Sequence, residues 1–162
     1  MFICKRANLK EIKIKDQYEI DHNPKERDNW IFWTKQAIYN HRQKYTITYV
    51  GLLNGKIITQ ATAMIAPDIE PNVVVSNTNV YLMAFRTIPR YQGKGYFFKL
   101  HKFMLADLKK RGYLTATVGV EPHETKNKEI YFGWGYTDHV CDGKITYPDD
   151  TKIDVEYYQK KL

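Results

Sequence analysis

Between Asn77 and Val120 the residue pattern switches from strand-like to helical and back again, with glycines at the first switch, and few folds accommodate that order. Asn77 to Arg86 is rich in strand-forming residues, and it stops at Pro89 because a proline pushes the residue before it, here Ile88, out of helical geometry. Gly93 and Gly95 follow. Phe97, Leu100, Met104 and Leu108 then recur at helical spacing as far as Arg111-Gly112, where basic residues complement the last-turn carbonyls and glycine closes the helix. Leu114 to Val120 is strand-like again. Strand, glycine turn, helix and strand form a βαβ unit, so these two strands are expected to lie parallel with a right-handed crossover.

The flanking segments extend this unit into a mixed α/β sheet. Phe2 to Ala7 reads as a first strand, followed by a weakly patterned helix around Leu9 and Ile12. Asn23-Pro24-Lys25-Glu26 supplies an N-cap, a proline at the first helical position and an acid three residues after the cap, predicting an amphipathic helix from about Pro24 to Tyr39. Tyr45 to Leu53 and Lys56 to Ile65 are β-rich runs joined by Asn54-Gly55, which favours a two-residue type I′ hairpin turn. A short helix beginning at Glu124 or Thr125 carries Ile130, Tyr131 and Trp134 and closes at Gly135. Two late strands, Thr137 to Cys141 and Ile153 to Lys160, complete the sheet. With no repeat, low-complexity tract or linker, residues 1–162 are expected to form one domain.

Composition excludes several classes. Apolar runs fall far short of the roughly 18 residues of a membrane span, and Met1-Phe2-Ile3-Cys4-Lys5-Arg6 breaks into charge too early for a signal-peptide hydrophobic region. Cys4 and Cys141 form no CxxC motif, so neither a zinc site nor a disulfide framework is expected, and a reducing cytoplasm fits best. The net charge is +7, and ten of the 25 Lys and Arg but three of the 18 Asp and Glu lie between Arg86 and Lys128. Such a stretch suits nucleic acid, anionic lipid or a phosphorylated ligand.

The glycine turn favours the phosphorylated ligand. A strand that delivers Gln92-Gly93-Lys94-Gly95 to a helix N-terminus leaves backbone N–H groups unpaired, while glycine lets a phosphate approach and Lys94 and Arg90 add charge. A P-loop is excluded because Gly95, not Ser or Thr, follows Lys94. A dinucleotide fingerprint starting at Gly93 fails at Phe98, where a small residue is required.

Pro89-Arg90-Tyr91-Gln92-Gly93-Lys94-Gly95, then Leu100, then Ile130-Tyr131 and Gly135-Tyr136, resemble the GCN5-related N-acetyltransferase superfamily, in its small bacterial type, over roughly Val80 to Tyr136. That family's phosphate signature is Gln or Arg, two residues, Gly, one residue, then Gly or Ala. Gln92, Gly93, Lys94, Gly95 and Tyr96 fit, and Phe97 stands at the last small-residue position. Tyr131 lies four residues before Gly135-Tyr136, as the family's tyrosine does before its Gly-Phe pair. The family's usual Asn falls on Glu124, with Asn127 one helical turn from Tyr131 as its replacement.

The resemblance implies an acyl-CoA N-acyltransferase fold: a mostly antiparallel central sheet with one parallel βαβ pair, flanked by helices. It implies that acetyl-CoA enters as co-substrate, with pyrophosphate on the amides from Gly93 to Phe97 and pantetheine paired like an added strand with Phe85, Arg86 and Thr87. The partner would be a small-molecule or peptide amine, with neither nucleic acid nor membrane, and the protein a monomer or homodimer. Tyr131 is the candidate acid, since a phenol stays protonated at neutral pH and can donate to the departing thiolate. The strand Asn77 to Phe85 carries no carboxylate or histidine, so Glu121 is the candidate base, with His123 its neighbour. Acids between Asp16 and Asp28 and between Asp138 and Glu156 point to a cationic acceptor, with Trp30, Trp33 and Tyr81 as aromatic walls. No metal is implied. Two rivals stand beside this reading: a non-catalytic acyl-CoA-binding module of the same fold, and a basic nucleic-acid-binding domain, for which no recognised motif is present.

Overall fold

The computed structural model describes residues 1–66 and 74–162. Its strands β1 (Phe2–Arg6), β2 (Thr46–Leu53), β3 (Lys56–Met64), β4 (Asn79–Thr87), β5 (Thr115–Val120), β6 (Asp138–Thr146) and β7 (Lys152–Lys161) make one seven-stranded sheet in the order β1-β2-β3-β4-β5-β7-β6. Every pairing is antiparallel except β4 with β5, the pair expected from the βαβ unit. Helices α1 (Leu9–His22) and α2 (Arg27–Arg42) cover one face; α3 (Tyr96–Lys110) and α4 (Thr125–Gly133) cover the other.

Local chemistry explains most boundaries. The Asn54-Gly55 turn has positive φ at both residues, as type I′ demands. Helix α1 is firmer than its weak apolar pattern suggests, because Asn8 and Glu11 form a reciprocal capping box. The second helix departs from expectation. Pro24–Glu26 is a 3₁₀ turn and α2 starts at Arg27, because the Asn23 amide donates to the Glu19 carbonyl and carboxylate and makes no cap for the following helix. Strand β4 starts at Asn79, later than the pattern suggests, since Ser76 Oγ accepts from the N–H groups of Thr78 and Asn79 in a local turn. The late strands are longer than expected, β6 reaching Thr146 through its ladder with β7.

The largest core cluster lies under α3. Leu100, Met104 and Leu108 pack on Tyr49, Ala61, Val80, Leu82 and Val118, all nearly or fully excluded from solvent. On the opposite face, Ile12 of α1 packs with Val50 and Ile57. No helix among the described residues is long and apolar enough to cross a membrane.

Candidate active site

The site begins where the two parallel strands part. Strands β4 and β5 pair from Asn79 with Thr115 to Leu82 with Val118 and no further. One extra residue in β4 opposite β3, between Met83 and Arg86, coincides with Ala84 at φ 56, a left-handed conformation typical of a bulge. The bulge turns the end of β4 away from β5. The Arg86 carbonyl accepts from Thr59 Oγ1 on the β3 side, 3.0 Å away, so by strand alternation the peptide groups of Phe85 and Thr87 face the opening.

Beyond the opening, Gln92 donates from Nε2 to the Thr87 carbonyl at 3.1 Å and pins the turn to the end of β4. Gly93 and Gly95 have φ of 72° and 81°, and a Cβ on either would meet nothing within 4 Å. The helical ladder begins with Lys99 donating to Gly95, and among the described residues the backbone N–H groups from Gly93 to Phe98 find no acceptor. A concave run of free amides at the positive end of a 15-residue helix fits a pyrophosphate. Arg90 and Lys56 lie over the Tyr91 ring, and Tyr96 packs on Phe2 and Tyr91 at the rim. Lys128 of the basic stretch is instead paired with Glu156 at 2.5 Å.

Phe97 occupies space between α3 and α4. Its ring centroid is 4.8 Å from Phe85 and 5.8 Å from Trp134, closing an aromatic wall along the α4 side of the opening. His101, unassigned by sequence reading, belongs to this wall. It stacks on Trp134 at 4.6 Å, sets a ring nitrogen 2.7 Å from the Tyr136 hydroxyl, and burial together with the Lys160 charge lowers its pKa to about 4. It is therefore a neutral packing group. Its helical spacing from Phe97, Met104 and Leu108 was the available signal.

Tyr131 projects from α4 against Phe85, Trp134 and Tyr136, with ring centroids 6.1–6.3 Å apart. Burial chiefly, and then the Glu124 charge, raise its pKa to about 12 against the opposing Arg86 charge. Its hydroxyl makes no hydrogen bond among the described residues, although the ring is mostly enclosed. Glu121 follows the last residue of β5. Burial raises its pKa, and so do the charge and hydrogen bond of Glu124, while His123, 3.8 Å away and 79% exposed, lowers it. Asn127 lies exposed on α4, one turn before Tyr131.

On the opposite face of β4, a cavity of about 610 Å³ opens between the sheet, α1 and α2. Trp30, 6% exposed, forms one wall and carries the Arg86 guanidinium 5.0 Å above its ring. Trp33 meets Trp30 and Tyr147 edge-on, and Glu121, Glu26 and Glu124 all act to raise the Tyr147 pKa after burial does. Tyr81 does not line this cavity; it is buried beside Met64, Val155 and Tyr157, with its hydroxyl close over Gly119.

Of the acids between Asp16 and Asp28, Asp16 lines this cavity, 5% exposed, with its carboxylate 3.5 Å from Gln60 Nε2. Burial raises its pKa to about 6 from 3.8, against the lowering effects of Gln60, Lys15 and Thr34. The folded state therefore holds this proton to higher pH than the unfolded chain, and stability is expected to fall as pH rises between those two values. Asp16→Asn removes that dependence, so its stability advantage over wild type should be larger at pH 7.5 than at pH 4, by up to about 3 kcal/mol. Urea unfolding at both pH values measures this, and an equal difference at both would show that Asp16 titrates normally.

A model of the acetyltransferase (GNAT) family matches residues 8–134. No curated protein matches the chain at significant similarity. Among solved structures, a probable acetyltransferase from Staphylococcus epidermidis superposes with a TM-score of 0.74 at 11% identity, covering 100% of this chain and 99% of that one. The ribosomal-protein-S18-alanine N-acetyltransferase from Escherichia coli gives 0.72 at 17% identity, covering 100% and 94%. A putative acetyltransferase from Salmonella typhimurium, solved with acetyl-CoA, gives 0.66 at 16% identity, covering 99% and 94%. With the parallel pair that parts, the free amides of the glycine turn and a family match over most of its length, the chain belongs to the GNAT family of acetyltransferases.

Proposed function

We propose that the protein transfers the acetyl group of acetyl-CoA directly to the primary amine of a small, cationic acceptor within a ternary complex. The observation that carries this reading is the parting of β4 and β5, which has unpaired amides at one end, the Tyr131 hydroxyl on one side and the Trp30 cavity on the other. Acetyl-CoA, when bound, supplies a thioester already activated toward an amine. The amides from Gly93 to Phe97, with Lys94 and Arg90, hold the pyrophosphate; the Phe85 and Thr87 peptide groups hold the pantetheine, flanked by Asn127.

Glu121 takes the proton of the acceptor ammonium, directly or through one water, and its raised pKa brings it closer to the strength that task requires. Tyr131 keeps a proton on its hydroxyl oxygen through the neutral range and donates it toward sulfur as charge develops there. Trp30 and Trp33 wall the acceptor, and Asp16 and the glutamates near Tyr147 favour a cation.

The test is to incubate pure protein with acetyl-CoA and a panel of amines while following free thiol. Thiol release that depends on an amine is expected. Tight CoA binding without turnover for any amine would overturn the enzyme reading in favour of a non-catalytic CoA-binding module.

A further inference from the structure

The cavity presents opposite charges at two different distances from the strand opening. Arg86 is on β4 itself, next to Phe85, and its guanidinium has no carboxylate within ion-pair distance among the described residues; its ring contact with Trp30 holds it on the cavity wall. Asp16 lies one strand farther from the opening. Its hydrogen-bond partner Gln60 is on β3, directly across from Arg86 in the ladder. The neighbouring Lys15 acts on Asp16 by its charge but makes its hydrogen bond to Glu19, so it does not form an ion pair with Asp16 among the described residues. The lining between the two charges combines apolar Ile12, Met83 and the tryptophans, which suit an aliphatic stem, with polar Gln60, Thr48 and Thr62.

An acceptor that satisfies both charges carries an anion close to its reacting amine and a cation at its far end, joined by an aliphatic stem. We infer that the acceptor is a basic α-amino acid, acetylated on its α-amine, with its carboxylate on Arg86 and its side-chain cation against Asp16. This inference rests on the N-acetyltransferase reading above and narrows its acceptor. In the step, the α-nitrogen bonds to the acetyl carbon as the carbon–sulfur bond breaks. One ammonium proton leaves through Glu121 to solvent before attack, the sulfur receives the Tyr131 proton, and the second proton released by the nitrogen as the amide forms restores Tyr131 through water, so the products are the N-acetyl amino acid, CoA and one proton.

The experiment compares lysine, lysinamide and norleucine as acceptors by kcat/KM with wild type, Arg86→Gln and Asp16→Asn. Lysinamide removes the carboxylate and norleucine the distal cation. Wild type is expected to favour lysine over each analogue by about tenfold or more, the scale of one lost charge-assisted hydrogen bond. Arg86→Gln should bring lysine and lysinamide within a small factor while still rejecting norleucine, and Asp16→Asn should do the reverse. Melting curves confirm that the variants fold; if either does not, the wild-type ratios decide alone. Lysinamide used as well as lysine overturns the Arg86 assignment and favours a peptide N-terminus, and norleucine used as well as lysine overturns that of Asp16. Turnover of other amines without lysine overturns the inference and leaves the acetyltransferase standing, whereas no turnover with any amine overturns both.

Discussion

Tyr131→Phe is expected to lower turnover by about 10²-fold or more while leaving acetyl-CoA affinity nearly unchanged. The substitution removes one hydroxyl and keeps the ring, so the contacts with Phe85, Trp134 and Tyr136 persist. Because that hydroxyl makes no hydrogen bond among the described residues, its loss leaves no protein donor or acceptor stranded, and stability should barely move. A kinetic effect without a stability effect is therefore the signature of a proton donor. Steady-state kinetics with any accepted amine, paired with thermal melting, makes the measurement. Full turnover in the variant would remove Tyr131 from the chemistry and leave the cofactor turn untouched. A pKa raised to about 12 adds a second check, since ionisation of Tyr131 should contribute no loss of activity between neutral pH and about pH 11.

Gly95→Asp should weaken CoA binding by about 2 kcal/mol or more, roughly thirtyfold. Two causes add. A side chain at φ 81° is strained, and a carboxylate at the helix N-cap opposes the pyrophosphate expected on the same amides. Open space around the missing Cβ means that the folded protein itself meets no clash. Gly95→Asn separates the causes, because Asn tolerates the left-handed region about as well as Asp and carries no charge. Calorimetry with CoA should place Asn between wild type and Asp. Unchanged affinity in a folded Asp variant would show that phosphate binds elsewhere.

Much of the fold was legible because it depends on residues close together in the chain. The Asn54-Gly55 hairpin, the stop at Pro89, the apolar face of α3 and the parallel βαβ pair each follow from turn chemistry or periodicity over a few positions. The Pro24 segment misled for a local reason as well: a cap needs its side-chain oxygen aimed at the next N–H groups, and the Asn23 side chain is instead turned back so that its NH2 donates to Glu19. The glycine turn was legible as a run of free amides at a helix start because free amides and positive φ are properties of the backbone itself.

The cavity beside Trp30 was not legible in the same way. Asp16 appeared only as one acid among several near the first helices, and Arg86 only as a strand residue beside the pantetheine. Their relation requires β3 to place Gln60 across from Arg86 and α1 to bring Asp16 onto Gln60, contacts between residues 44 positions apart in the second case. Tyr81 and Trp30 show the same limit: both are aromatic and buried, yet only Trp30 faces the cavity. By itself the sequence determined the order of elements, the glycine turn and the positions of Tyr131 and Glu121, because spacing and backbone conformation are properties of short segments. Only the tertiary structure decided where β4 and β5 part, which face each side chain meets and which charges remain unpaired, because those depend on bulge, register and burial contributed by distant parts of the chain.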